Sequence, residues 1–415
     1  MDNLARCIIL STVFLLNVSK LAIADEFHYN NLLIGDRASG MGGAYTAISD
    51  DATGMYYNPA GIAYVGDKNF SASVNAYYSQ VKTYDNVIGG QPFKRESSSL
   101  LANFFGIVKP FGKFKLGFSY AVPDAVSEDQ KQIFENVSAN TSRFTFDLNN
   151  RDTTINFGPT LAAEINKDLA VGLTMYVHKR DSQLIINQFV ERMDTTSQWT
   201  NRYYWLNEMG VRPILGVAWS PVEKISLGLS LSSTFLLRSQ STSQETCWDD
   251  ALIAGCPLDN PAAFIQTPTR KSNNTKRVYP VRMAIGAAYF IDRDLLLSGD
   301  LTYHTAVKDT LYGDRVATFN AALGTEYYLS KKWAVRAGLF TNRANTPDIQ
   351  AGVTIIEEHI NMYGGSLSIT NFSGASSVTL GGSVNYGTGK SQILNDTSVQ
   401  NASTFGWLIF LSSSM

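Results

Sequence analysis

Side chains able to carry acid-base, nucleophilic or metal chemistry are few and scattered in this chain of 415 residues. The four histidines, His28, His178, His304 and His359, share no HExxH spacing, no paired metal spacing and no Ser/His/Asp order, so catalysis has no framework in the sequence. The run Gly40-Met41-Gly42-Gly43 follows no strand pattern and lacks both a third spaced glycine and a Gly-Lys-Ser/Thr ending, which argues against a nucleotide loop. The sequence therefore implies no metal, no cofactor and no enzyme.

Binding chemistry is better represented. Arg212, Arg282 and Arg336 fall on the polar parity of strand-like segments, together with Lys115, Glu164, His178, Asp300 and Glu326. An arginine facing an enclosed interior can hold an anionic headgroup, the alternative being that these charges pair with one another. A second feature is the apolar content of a segment otherwise rich in Asn, Thr and Arg. Leu184, Ile186, Phe189, Met193, Trp199 and Trp205 are candidates for a groove that captures a hydrophobic substrate. Strands that extend outward and pack on each other would explain the same residues. Cys247 and Cys256 lie nine positions apart in a Pro/Asn/Asp-rich stretch and are expected to bond in an oxidising compartment, with two free thiols as the alternative.

The elements that must position these residues are strands. Only 17% of the chain is charged against 44% hydrophobic, compared with roughly 25% charged in an average soluble protein. Lys+Arg (34) and Asp+Glu (36) nearly cancel, so nothing advertises nucleic acid as a partner. Residues 1–24 read as a cleaved secretory signal: Arg6, an apolar run from Cys7 to Val18, then Ala22-Ile23-Ala24. From about residue 67 to 415 apolar and small or polar residues alternate, as in Ile225, Leu227, Leu229 and Leu231 against Ser226, Gly228, Ser230 and Ser232. Six short turns, such as Asn166-Lys167-Asp168 and Ser330-Lys331-Lys332, alternate with seven long polar segments, including 85–96, 123–150 and 181–207. That arithmetic gives fourteen strands. An even number of alternating strands, with short turns at one rim and long connections at the other, predicts an all-β, antiparallel transmembrane barrel: lipid offers backbone groups no partner, so the sheet must close. Trp219 and Trp333 at the short-turn rim fit an interfacial girdle. Pro159 and Pro213 sit inside strands and cannot donate to the ladder, so each is expected to leave a local pairing gap.

About forty residues precede the first strand. They contain Gly40-Met41-Gly42-Gly43, the acidic step Asp50-Asp51-Ala52 and the motif Asn58-Pro59-Ala60. In these residues, and in its fourteen strands, the chain resembles the FadL/TodX family of outer-membrane transporters for long-chain fatty acids and other hydrophobic compounds. The specific motif covers residues 35–65. The resemblance implies that residues 25–66 form a hatch inside the barrel, that Gly40, Gly42, Gly43, Asp50, Asp51, Asn58, Pro59 and Ala60 shape it, and that a strand kink opens the wall sideways. A fourteen-stranded barrel independently encloses more volume than its own side chains fill.

The expected function is passive uptake of hydrophobic small molecules across the outer membrane of a Gram-negative bacterium, by a monomer whose only other partners are outer-membrane lipids. The alternative is a barrel that serves as scaffold or shuttle for a secretion or electron-transfer partner, since the motif also occurs in PorV-type relatives. The chain departs from the usual outer-membrane pattern by ending in Ser414-Met415 without a terminal aromatic.

Overall fold

The computed structural model describes residues 26–66, 69–250, 269–309, 313–352, 357–393 and 398–415. Residues 1–24, read above as a signal, lie outside them, as does Cys256. Sixteen strand segments are described: β1 (Asn69–Ile88), β2 (Gln91–Phe111), β3 (Phe114–Ser138), β4 (Thr141–Asn166), β5 (Leu169–Arg192), β6 (Ser197–Val222), β7 (Ile225–Ser232), β8 (Phe235–Asp249), β9 (Thr269–Asn273), β10 (Arg282–Phe290), β11 (Leu295–His304), β12 (Thr318–Ser330), β13 (Trp333–Asn342), β14 (Glu358–Ser373), β15 (Ser376–Ser391) and β16 (Gln400–Ser414). All pairings are antiparallel, and β5–β6 and β1–β16 contacts close the sheet on itself.

Sixteen segments make fourteen crossings. β7 and β8 follow one another along the same edge of β6, and on their far side β10 pairs with β7 while β9 pairs with β8. Each couple is one broken strand. The β7/β8 break at Ser233-Thr234 has a local cause. The ladder register sets these two residues opposite Arg212 and Pro213, and proline has no N–H to give. Pro159 leaves a similar gap: β4 pairs with β5 at Phe157–Val177 and again at Thr160–Thr174, with nothing between.

Alternation is visible directly in the burial of β4, where residues 150, 152, 154, 156, 158, 160 and 162 are buried and 157, 159 and 161 exposed. The outward set includes Phe118, Leu161, Leu173, Met175, Leu215 and Leu301, the face a bilayer requires. Trp219 and Trp333 are exposed at the short-turn rim. β16 pairs with both β15 and β1, and Phe70 and Met415 exchange two backbone hydrogen bonds of 2.7 and 2.9 Å.

One expectation needs correction. The segments 85–96, 123–150 and 181–207 are not long loops but paired strand, and the first outer connections are tight hairpins at residues 89–90, 139–140 and 193–196. Asn, Ser and Thr do not break a strand whose period of two persists; they only make its upper part polar.

Candidate functional site

The barrel interior is occupied by the N-terminal segment, residues 26–65. Ile34, Met41, Tyr45, Met55 and Ile62 form a buried core with Phe104, Val108 and Ala218 of the wall. The motif residues explain its shape. Gly42 and Gly43 adopt φ of 66° and 85°, a left-handed conformation that costs glycine little. Asn58 caps the 3-10 helix Pro59–Tyr64, its Oδ1 accepting from Ala60 N at 3.2 Å and Pro59 filling the first helical position. The Asn58 Nδ2 donates to Thr46 O within the segment and to Val217 O of the wall, at 2.8 and 2.9 Å. Asp51 accepts from Thr53 N at 2.7 Å, and Asp50 pairs with Arg37 at 2.5 Å.

The wall is shaped to receive this segment. A β-carbon on Gly172 or Gly216 would overlap Pro59 and Ala60; on Gly228 or Gly286, Thr46 and Ala47; on Gly324, Met41; and on Gly338, Met41 and Gly42. Gly172 pairs with Gly216, Gly228 with Gly286 and Gly324 with Gly338 across neighbouring strands. These positions form a recessed seat. Polar wall side chains then satisfy the segment's backbone: Ser366 donates to Gly40 O, Ser226 to Ala47 O and Thr174 to Met55 O, while Asp300 accepts from Tyr45 N and Thr46 N. The sequence reading missed the seat, although inward glycines in otherwise good strands were its signal.

Ionic contacts fix the two ends. Arg37 binds Glu326, which also holds Arg336 at 2.5 Å. Glu26 lies 2.6 Å from Arg180, 2.8 Å from Arg277 and 3.7 Å from Arg315. Burial by itself would raise the Glu26 carboxyl, but Arg277, Arg180 and Arg315 outweigh it and hold it well below the usual carboxylate range.

The wall itself is incomplete between β2 and β3. Their ladder covers only Phe104–Phe111 and Phe114–Ala121. Above it β3 pairs with β4 alone, and the two edges are next joined by side chains: Ser97 accepts from Ser127 N, and Gln130 and Gln132 each bond β2 backbone groups at both ends of their amides. The backbone of Leu32 and Leu33 lies against this gap. Leu32 N donates to Pro123 O at 3.2 Å, and Asn103, the residue bulged out of the β1–β2 register, donates to Leu33 O at 2.9 Å. Leu32 packs with Val122, Ala125 and Phe410.

A family model described as outer membrane protein transport protein (OMPP1/FadL/TodX) matches residues 15–250, more than half of the chain. The chain belongs to that family. Among solved structures of the FadL/TodX fold, a Pseudomonas aeruginosa FadL homologue has a TM-score of 0.68 at 14% identity, covering 93% of this chain and 99% of that one. The Pseudomonas putida toluene transporter TodX gives 0.64 at 12% identity (93% and 98% covered), and the Ralstonia pickettii toluene transporter TbuX 0.54 at 12% (92% and 98%). A search of the curated proteins returned no match. This FadL/TodX-family chain is thus a fourteen-stranded barrel of the Gram-negative outer membrane.

The residues singled out from sequence are redistributed by this geometry. Of the three arginines, Arg336 is consumed by Glu326 and Thr370, whereas Arg212 and Arg282 line a lumenal cavity of about 210 Å³. The groove candidates do not form one surface. Leu184 and Ile186 point inward into an aromatic cluster with Phe93, Phe134 and Phe146. Phe189 and Trp199 face each other across β5–β6 on the opposite parity and Trp205 shares it, while Met193 sits in the hairpin. The pleat separates them, and the reading in which outer strands pack on each other accounts for the inward pair. Lys115 and Glu164 lie near the short-turn rim, where Lys115 donates to Gly66 O at 3.4 Å, and Glu164 is exposed. Cys247 is disulfide-bonded and buried.

Proposed function

We propose that the protein takes up hydrophobic small molecules, of the long-chain fatty acid or hydrocarbon type, by passive diffusion, and that residues 26–66 act as a hatch that sends them out through the wall. The observation that carries this reading is the unpaired stretch between β2 and β3 with the backbone of Leu32 and Leu33 against it. The seated segment obstructs a straight path to the short-turn end. The gap, in contrast, is lined by Leu32, Val122 and Ala125, so displacing two leucines joins the lumen to the bilayer without exposing the ligand to water. TodX and TbuX are toluene transporters, which supports a hydrophobic ligand here. Among the described residues no feature favours the scaffold alternative.

The test is a Leu33→Cys/Asn103→Cys pair, placed where Asn103 already contacts Leu33 O. Cells carrying the protein should accumulate labelled toluene or palmitate faster than cells without it. Oxidation of the pair should abolish the difference and reductant restore it, with each single variant under the same reductant as control for the disulfide at Cys247. Full uptake through the cross-linked protein would exclude the gap as the exit, and equal uptake with and without the protein would refute the transport function.

A further inference from the structure

The lumenal cavity carries charged and hydrogen-bonding groups as well as rings. It is bounded by Tyr29, Tyr56, His178, Arg212, Arg282 and His304. Tyr29 stacks on His304 at a centroid distance of 4.2 Å, and the Arg212 guanidinium lies 5.6 Å from the centre of the Tyr56 ring. Among the described residues, the buried polar atoms at this cavity that face no hydrogen-bond partner include Tyr29 OH, His178 Nε2, Arg212 Nε and His304 Nδ1, and also Asp300 Oδ1. His178 is 2% exposed and His304 4%. These atoms come from the N-terminal segment, β5, β6 and β11, so the convergence is a property of the whole lumen.

The arginines divide into two sets. Arg180, Arg277 and Arg315 are engaged by Glu26, Asp152, Glu208 and Glu357. Arg212 and Arg282 have no ion pair among the described residues. Asp300 lines the same cavity; its Oδ2 accepts from Tyr45 N and Thr46 N and its Oδ1 has no hydrogen-bond partner, so this one carboxylate offsets only part of the charge of the two guanidiniums. An enclosed guanidinium without an anion is costly, and two of them beside hydrogen-bonding groups describe a site completed by an anionic ligand. The rings specify the rest of that ligand, since guanidinium and aromatic faces both favour a flat π-system. Size agrees. A cavity of ~150 Å³ is enough for benzene, so about 210 Å³ holds one ring with a small substituent, whereas pockets for drug-sized ligands start near ~300 Å³.

We propose that this cavity binds a single-ring aromatic anion of the benzoate type, its carboxylate on Arg212 and Arg282 and its ring among Tyr29, Tyr56 and His304. The proposal rests on the uptake reading for its physiological role but not for its test. Titration calorimetry on the full chain in detergent at neutral pH would compare benzoate, methyl benzoate and toluene. Benzoate should bind at least tenfold more tightly than either neutral compound, and Arg212→Gln/Arg282→Gln should remove that preference while leaving toluene binding within twofold. Equal affinity for benzoate and methyl benzoate on the unmodified protein overturns the proposal without recourse to any variant, as does a double variant that assembles normally and keeps the benzoate preference. Benzoate binding together with no tracer uptake by cells would leave the site standing and remove the transport reading; toluene uptake without benzoate binding would do the reverse.

Discussion

Arg37 of the N-terminal segment and Glu326 of β12 form a two-point ion pair, Nε to Oε2 at 2.8 Å and Nη2 to Oε1 at 2.9 Å, 289 residues apart in sequence. Glu326 is 1% exposed and also holds Arg336, so one carboxylate serves two guanidiniums, one on the N-terminal segment and one on the wall. Removing it leaves Arg336 with Thr370 alone and Arg37 with only the more exposed Asp50. Breaking a buried pair typically costs ~3–5 kcal/mol. Glu326→Gln is therefore expected to loosen the hatch while the barrel, whose strands pair independently, still assembles. In planar bilayers the variant should show ion conductance well above the unmodified protein; an equally silent variant would mean that this contact does not hold the hatch.

The glycine seat makes a sharper demand because it concerns backbone. Gly338 faces the Met41–Gly42 peptide so closely that a single added methyl has no room, while Gly365 on the next strand meets nothing nearer than 3.5 Å. Gly338→Ala should destabilise the folded protein by about 1–3 kcal/mol, the usual range for overpacking, and increase protease cleavage within residues 26–66. Gly365→Ala should do neither. Thermal melting followed by heat-modifiable electrophoretic migration reads the first effect, and limited proteolysis the second.

This contrast also shows what was legible in the sequence. A period of two is imposed by the pleat itself, so strand number, facing and the pairing gaps at Pro159 and Pro213 could be derived from residue order. The Asn58-Pro59 turn was legible for the same reason: its hydrogen bond to Ala60 is local. The glycine seat was not, because Gly172 and Gly338 acquire meaning only from the partner that arrives from over a hundred residues away. Likewise, parity placed Arg212, Arg282 and Arg336 inside, but only the fold separates the one that Glu326 takes from the two left facing the cavity. The upper strands were misread as loops because their polar composition reflects water outside the membrane rather than an irregular backbone.

Above the lipid-facing belt the barrel is filled by its own rings. Phe93 meets Phe146 edge-on at 5.3 Å, stacks near Tyr84 at 6.0 Å, and Phe134 and Phe144 continue the row at 6.1 Å. Leu184 and Ile186 pack on this cluster, whereas Phe189 lies on the other face of β5. Phe146→Ala should then cost about 3–5 kcal/mol, as large core truncations do, and Ile186→Asp should impair assembly. Phe189→Asp should leave folding intact. Uptake rates normalised to assembled protein would separate a structural loss at Phe146 from any role of Phe189 in capturing substrate; equal destabilisation by all three changes would contradict the assigned facing of β5.

Acid should test the other anchor of the hatch. The Glu26 carboxyl is depressed in the folded state by Arg277, Arg180 and Arg315, so its contribution is fully present above the unfolded value of roughly 4.3 and is lost only as pH falls through the lower folded value. Protection of residues 26–34 against hydrogen exchange is expected to hold from neutrality down to about pH 4. In Glu26→Gln the carboxylate is gone at every pH, and the three arginines are left with one anion fewer, so the same amides should exchange faster already at neutral pH. A hatch that loosened between pH 7 and pH 5 in the unmodified protein would have to be released by some group other than Glu26.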